Sequence, residues 1–429
     1  MKNKKEIYVY ADWPFENSQE SQPLWMGTLF VNDSRGSELF SFSYTTDWLE
    51  RIQDNVQIFQ FDPELFLYKG RQYPTTGNNL FGIFTDSIPD RWGRLLMKRR
   101  EVINAQKEHR PIQKLTDSDF LLGVHDFTRM GALRFKLSQE GPFLSYDKEL
   151  TQPPLTTLKT LEQASLNFEK NQDIKQEEKW LNQLLVPGSS LGGARPKATV
   201  EDTQGALWIA KFPSKNDFFD TGAWEKTAHR LAQLCAINVP EAQLKKFSSV
   251  GSTFLVKRFD RTYPQGRRIH FVSAMTLLNK QDGASATDGT SYLDIVQFIQ
   301  ERGSQPKKDL EELWKRIVFN ITISNTDDHL RNHGFLLTPT GWRLSPMYDV
   351  NPNPEGQGLS LNINEYDNSL SIPLALDAAQ YFHLEQKRAS EIADFICTTV
   401  HENWRIISQQ NQISPNEINQ MESAFMHSL

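Results

Sequence analysis

A chain of 429 residues, 38% apolar and 23% charged, is long enough for two or three domains with their own hydrophobic cores. Its net charge of −6 argues against nucleic-acid binding by the surface as a whole, and its two cysteines, Cys235 and Cys397, are too few for a disulfide scaffold or a cysteine-based zinc site. The basic start Met1–Lys5 runs into Glu6, Asp12 and Glu16 instead of an apolar signal segment, and no stretch reaches the ~18 apolar residues of a membrane helix, so a cytoplasmic protein without membrane contact is expected.

Short strands are expected at Ile7–Tyr10, Leu24–Val31 and Ser37–Tyr44, with a hairpin around residues 32–36, where Asn32-Asp33 and Gly36 are turn residues. Asp90–Asn104 has helical spacing, with Trp92, Leu95 and Leu96 on one side. It also carries the densest basic cluster, Arg91, Arg94, Lys98, Arg99 and Arg100, read as a solvated face. Thr157–Leu185 reads as a charged helix ended by Pro187 and Gly188. A Gly/Ser-rich loop, 188–193, leads to strands Lys197–Glu201 and Ala206–Phe212 around the turn Asp202–Gly205. A helix over Ala223–Ala236 follows, with Trp224, Ala228, Leu231 and Cys235 on one face, which predicts a buried structural thiol at Cys235. Thr253–Phe259 is another strand. Beyond residue 270 helices dominate. Leu310–Ile323 has one apolar stripe, Gly334–Leu337 and Trp342–Met347 form a hairpin, and Glu391–Ile407 is helical.

The chemistry is concentrated in Asn325-Thr326-Asp327-Asp328-His329-Leu330-Arg331-Asn332, between the amphipathic helix and the hairpin. A kinase catalytic loop places an Asp five residues before an Asn: the Asp orients the attacking hydroxyl and the Asn carbonyl holds Mg²⁺. Asp327 and Asn332 have that spacing, and Asp349, just past the hairpin, supplies a second hard oxygen for the metal. Upstream, small residues in the 188–193 loop let backbone N–H groups approach a phosphate. Lys211 lies inside an apolar strand, where an ammonium needs a negative partner such as a nucleotide phosphate. Glu225, at the start of the next helix, is placed to hold that lysine. Loop, strand Lys, helix Glu, Asp, Asn and metal Asp follow the order of a protein kinase.

The same residues carry a family resemblance. Gly192-Gly193-Ala194-Arg195-Pro196-Lys197, Phe254-Leu255-Val256-Lys257-Arg258-Phe259-Asp260-Arg261, the 325–332 loop and Tyr348-Asp349 resemble the HipA family of Ser/Thr kinases, toxins of bacterial toxin–antitoxin pairs. Ile88-Pro89-Asp90-Arg91-Trp92-Gly93-Arg94 and Gly131-Ala132-Leu133-Arg134-Phe135 are similar to motifs of that family's first subdomain. The resemblance implies an α+β, two-lobed protein-kinase-like fold with an accessory N-terminal α/β subdomain (1–140), a strand-rich nucleotide lobe (141–265) and a mostly helical catalytic lobe (266–429). By the same resemblance Asp327 is the catalytic base and Lys211 the phosphate-binding lysine, while Asn332 and Asp349 bind Mg²⁺. The backbone of Lys257–Phe259 holds the adenine of ATP, His329 and Arg331 fall in the nucleotide-contact segment, and Ser190 matches a serine whose autophosphorylation switches the kinase off. The implied partners are a HipB-like helix-turn-helix antitoxin, DNA only through that antitoxin, and a protein substrate, with aminoacyl-tRNA synthetases among the family's targets. Lys257 stands where many members are acidic, Arg331 where Lys is common, and Ser189 is a second serine in the loop.

Four other readings compete. Gly188-Ser189-Ser190-Leu191-Gly192 fits the G-x-S-x-G nucleophile elbow, but that motif needs a strand before and a helix after, the reverse of what is expected here. His329 and His333, four apart, could meet a zinc ion, although the neighbouring carboxylates and Asn332 suit Mg²⁺ better. The chain could serve as a catalytically dormant corepressor beside its antitoxin, or phosphorylate a small molecule.

Overall fold

The computed structural model describes residues 4–13, 22–34, 37–52, 60–75, 79–145, 154–170, 181, 184, 193 and 195–427. The chain divides into two compact units, residues 1–214 with 260–272, and residues 215–259 with 273–429.

In the first unit, β1 (Lys4–Ala11), β2 (Leu24–Ser34), β3 (Ser37–Tyr44) and β4 (Leu133–Lys136) make an antiparallel sheet of order β3-β2-β1-β4. Alternation puts Ile7, Val9, Leu29, Val31, Phe40 and Phe42 on one buried face. The β2–β3 ladder runs out to Ser34↔Ser37, so Asn32 and Asp33 pair with Leu39 and Glu38 inside the strands instead of turning. Helix α1 (Arg91–Lys107) is capped by Asp90, whose side chain accepts from the Gly93 N–H. Trp92 and Leu96 face the core, whereas Leu95 is 41% exposed. Helix α2 (Leu158–Glu169) covers the start of the long helix expected over 157–185; residues 171–180 lie outside the described residues.

β5 (Lys197–Glu201) and β6 (Leu207–Lys211) form the expected hairpin. Asp202 accepts the N–H groups of Gln204 and Ala206, and Gly205 takes the φ of +79° that the turn demands. Two motifs far apart in sequence meet in this unit. Buried Asp260 accepts the Gly131 N–H at 2.8 Å, and Arg261 donates to the Gly131, Phe127 and Arg129 carbonyls.

The second unit begins with α3 (Thr221–Leu234), followed by β7 (Ala242–Lys245) and β8 (Thr253–Lys257), which pair antiparallel. Helices α4 (Tyr292–Arg302), α5 (Pro306–Thr322) and α6 (Gln386–Gln410) each bury an apolar face in its core. The stripe Leu310, Leu313, Trp314, Ile317, Val318 and Ile321 of α5 is almost wholly buried, as its spacing predicts. β9 (Gly334–Thr338) and β10 (Gly341–Leu344) make the hairpin beyond the 325–332 loop. The second strand stops at Leu344, short of the expected Met347, because Pro346 has no N–H to continue a ladder. Cys235 and Cys397 are both buried and unbridged; burial pushes the Cys235 thiol up to about 12, which keeps it protonated and inert.

Candidate active site

The segment Asn325–Asn332 descends from the end of α5. Ser324 sits at φ +50° and donates its hydroxyl to the Ala424 carbonyl, which turns the chain out of the helix. Asp327 projects from this loop with its side chain 87% exposed. The loop still thins the surrounding water enough to raise its pKa; His329 opposes that rise, and the Asp349 and Asp328 charges add to it. His329 Nε2 lies 4.0 Å from the Asp327 carboxylate.

Asn332 is buried, and its Nδ2 donates to the Asp327 carbonyl at 2.8 Å. That bond fixes which way the amide faces. Its Oδ1 is buried and, among the described residues, accepts no hydrogen bond. A buried amide oxygen left without a donor is costly, and a cation bound there would satisfy it. Asp349 has φ +59°, a left-handed conformation that costs an L-residue roughly 1–2 kcal/mol. It lies near enough to Asp327 for its charge to raise that carboxyl. The Asn332 amide oxygen and the Asp349 carboxylate are hard oxygens of the kind that suit Mg²⁺ when it keeps several waters. The orphan oxygen of Asn332 therefore fits the metal that the loop's spacing implies.

The neighbouring predicted residues sit as follows. The Tyr348 hydroxyl donates to the Arg331 carbonyl at 2.6 Å, and the Arg331 guanidinium meets Asp282 at 3.0 Å. Phe259 and Tyr348 have ring centroids 5.6 Å apart. The Lys257 N–H is donated to the Glu241 carbonyl at 2.8 Å, continuing the pairing of β7 and β8, and its ammonium lies 3.3 Å from Glu241. Arg258 is buried.

Glu225 is buried in the first turns of α3. The N-terminus of that helix is held by Asp220, which caps it and also accepts the N–H and hydroxyl of Ser252. Glu417, in the helix Pro415–Gln420, accepts the Asp220 N–H at 2.7 Å and the Trp224 indole N–H at 2.8 Å.

In the first unit, Lys211 is 7% exposed at the end of β6 and stands directly opposite Lys197 across the hairpin. Lys197 meets Asp90 at 2.9 Å with 1% of its side chain exposed, and its Nζ also reaches the Gly193 carbonyl at 3.4 Å. Arg195 and Pro196 lead into β5, and Gly193 has φ +77°. Ser189, Ser190, Gly192 and Ala194 lie outside the described residues, so both the phosphosite and the rest of the glycine loop do too.

Sequence reasoning passed over Asp328. This carboxylate is buried beside exposed Asp327, and its Oδ2 accepts from Tyr292 Oη and Asn320 Nδ2, both at 2.6 Å, and from His333 Nε2 at 3.0 Å. Burial works to raise its pKa, but the His333 ring and the hydrogen bonds outweigh that and hold it below the usual carboxylate range. An ionised carboxylate can only accept, so His333 carries its proton on Nε2. His333 Nε2 is engaged by Asp328, and among the described residues no group of three or more His, Cys, Asp or Glu side chains is placed to hold a metal ion, so the zinc reading gains no support.

Comparisons with known proteins bear on the fold and the family. Over 98% of this chain and 95% of the other, the structure superposes on the Shewanella oneidensis HipA of a HipA, HipB and operator DNA complex, with a TM-score of 0.65 and 16% identity. The likeness defines the class: a two-lobed, protein-kinase-like α+β fold with an added N-terminal subdomain. A family profile, the HipA-like C-terminal domain, matches residues 189–404, which is half of the chain. The chain belongs to the HipA family. A Haemophilus influenzae relative, provisionally named a kinase, is 28% identical over 39% of this chain and 54% of its own length. The Shewanella oneidensis serine/threonine-protein kinase toxin HipA is 25% identical over 38% of this chain and 43% of its own. These sequence matches thus span about half the length of the curated relatives. No helix among the described residues is long and apolar enough to cross a membrane.

Proposed function

We propose that this chain is an ATP-dependent serine/threonine protein kinase. The observation that carries the reading is Asn332: its amide is locked by the Asp327 carbonyl with a buried oxygen turned towards no donor, five residues after an exposed carboxylate. A buried acceptor without a donor is costly, and a bound cation would offset that cost.

In this reading Asn332 and Asp349 hold Mg²⁺. When bound, the ion supplies charge neutralisation across the β- and γ-phosphates of ATP. Asp327 orients a seryl or threonyl hydroxyl and takes its proton as the oxygen bonds to the γ-phosphorus and the bridging P–O bond breaks, leaving ADP. Lys211, buried at the end of an apolar strand, is assigned the phosphate charge, and Glu225 its support. The glycine loop 192–197 and the Lys257–Phe259 segment are assigned to the nucleotide, with His329, Arg331 and Tyr348 around it. Ser190 is the proposed autophosphorylation site, where about two negative charges would compete with ATP for the loop.

The division into an accessory subdomain over 1–140, a nucleotide lobe over 141–265 and a catalytic lobe over 266–429 belongs to the same proposal. So does a helix-turn-helix partner of the HipB type, because the superposed HipA was solved with HipB and operator DNA. An aminoacyl-tRNA synthetase is the first substrate to try.

The test is a γ-labelled ATP assay. Wild-type chain incorporates label with Mg²⁺ present, and Asp327→Asn does not while still binding nucleotide. Equal labelling by both removes Asp327 from the chemistry.

A further inference from the structure

Asp328 takes no part in the chemical step just described, yet it is the most heavily held side chain in the loop. Three donors from three places converge on one of its oxygens: Tyr292 opens α4, Asn320 ends α5, and His333 leads into β9. All four residues are buried, at 4% exposure or less. Burying an ionised carboxylate is expensive unless each lone pair is met, so such a group persists where its geometry is worth the cost.

The network does not stop at the loop. Asn325 Nδ2 donates to Asn320 Oδ1 at 3.0 Å, and Asn325 Oδ1 accepts the Asn351 N–H at 3.4 Å. Asn351 stands two residues beyond Asp349. One hydrogen-bonded chain therefore runs from His333 through Asp328, Asn320 and Asn325 to Asn351. It touches both ends of the 325–333 segment and the stretch that bears the second metal carboxylate.

We propose that Asp328, clasped by Tyr292, Asn320 and His333, is a positioning residue that sets the angle of the 325–332 loop and its register with Asp349. Asp327 and Asn332 are held in place by what lies beneath them, since Asp327 is exposed and the Asn332 side chain, among the described residues, bonds only to the loop's own backbone. This rests on the kinase reading above. A misplacement of about 1 Å in a reacting group can cost ~10²-fold in rate, which is the scale expected when the strut is weakened.

The experiment compares Asp328→Asn, His333→Gln and their double variant with the unaltered chain by two readouts. The first is kcat and KM for ATP with casein as acceptor. The second is amide hydrogen exchange over 325–333 and 349–351, which needs no activity. For Asp328→Asn, kcat falls by roughly 10²-fold with KM for ATP within about threefold, and exchange quickens in those two segments while α4 and α5 stay protected. Because a glutamine can still donate to Asp328, His333→Gln loses less, and the double variant loses no more than Asp328→Asn alone. Wild-type kcat and protection in Asp328→Asn overturn the proposal. So does a loss of protection spread evenly through the unit, which marks Asp328 as ordinary core. Should Asp328→Asn fail to fold, Tyr292→Phe removes one donor without adding a buried polar atom, and its exchange over 325–333 decides in the same way. A wild-type chain without phosphoryl transfer refutes the kinase reading, while the exchange comparison still judges the strut.

Discussion

Asp90 and Lys197 meet 2.9 Å apart with 6% and 1% of their side chains exposed, joining the cap of α1 to the first residue of β5. One carboxylate oxygen caps the helix and the other takes the ammonium. Trp92 adds a bond from its indole N–H to the Lys197 carbonyl at 3.1 Å. Asp90→Asn keeps a capping oxygen but takes away the charge beside a buried lysine. Removing one partner of a buried pair costs ~3–5 kcal/mol, and the variant should lose stability on that scale. Lys197→Met in the same background should recover part of it, because the ammonium that has lost its carboxylate is then gone as well. Urea unfolding of the single and double variants checks both statements, and additive losses would break the coupling.

The orphan oxygen of Asn332 predicts a metal dependence. Asn332→Ala removes it and also frees the Asp327 carbonyl, so the Mg²⁺ concentration needed for half-maximal phosphoryl transfer should rise at least about tenfold. Titration of activity with Mg²⁺ reads this directly. An unchanged midpoint would place the metal elsewhere.

Gly222 predicts a reversal of the usual helix rule. Replacing a helical glycine by alanine ordinarily helps by ~1 kcal/mol. At Gly222 a Cβ would lie 2.1 Å from the Ser252 carbonyl oxygen, a backbone atom that cannot rotate aside. Gly222→Ala should therefore destabilise the unit by about 1–3 kcal/mol, seen as a lower melting temperature. A variant as stable as the parent would show that α3 can slide away from Ser252.

His229 predicts a pH response. Its Nε2 lies 2.6 Å from the Pro240 carbonyl, and its Nδ1 is buried without a hydrogen bond. Burial lowers its pKa to about 4; the Pro240 contact opposes that and the Lys226 and Arg230 charges reinforce it. The unfolded ring takes its second proton near pH 6.5, the folded ring only near 4. Stability from this residue is thus complete above pH 6.5 and drains as the pH falls towards 4, by ~3 kcal/mol in total. Urea midpoints at pH 7.5 and 5 should differ less in His229→Gln than in the parent. Proton NMR of the imidazole gives the pKa itself, and a value near 6.5 would remove the effect.

The helix and loop that frame the candidate site could be read from local pattern. The buried stripe of α5 is a spacing rule, and the Asp327-to-Asn332 interval is short enough that the loop alone carries it. Asp328 could not be read that way. Two consecutive aspartates offer no local sign of which faces water, and the answer depends on Tyr292 and Asn320, residues 36 and 8 positions away. The Gly131–Asp260 contact spans 129 positions, and β7 is short and half-exposed with no alternating pattern. Such features follow from packing between distant segments, where the side-chain period within one segment says nothing. Hairpin limits were misread for a related reason. Asn32-Asp33 are good turn formers, but the ladder continues past them, and cross-strand pairing outranked their propensity.

The Glu417 clasp has a consequence for biosynthesis. Its carboxylate holds the front of α3 from 197 positions downstream. Ribosomes build the chain from the other end, so α3 and its Glu225 are made well before that fastening. A nascent polypeptide halted between Asp349 and Ser414 carries every proposed catalytic side chain and still lacks the anchor of the helix that bears one of them.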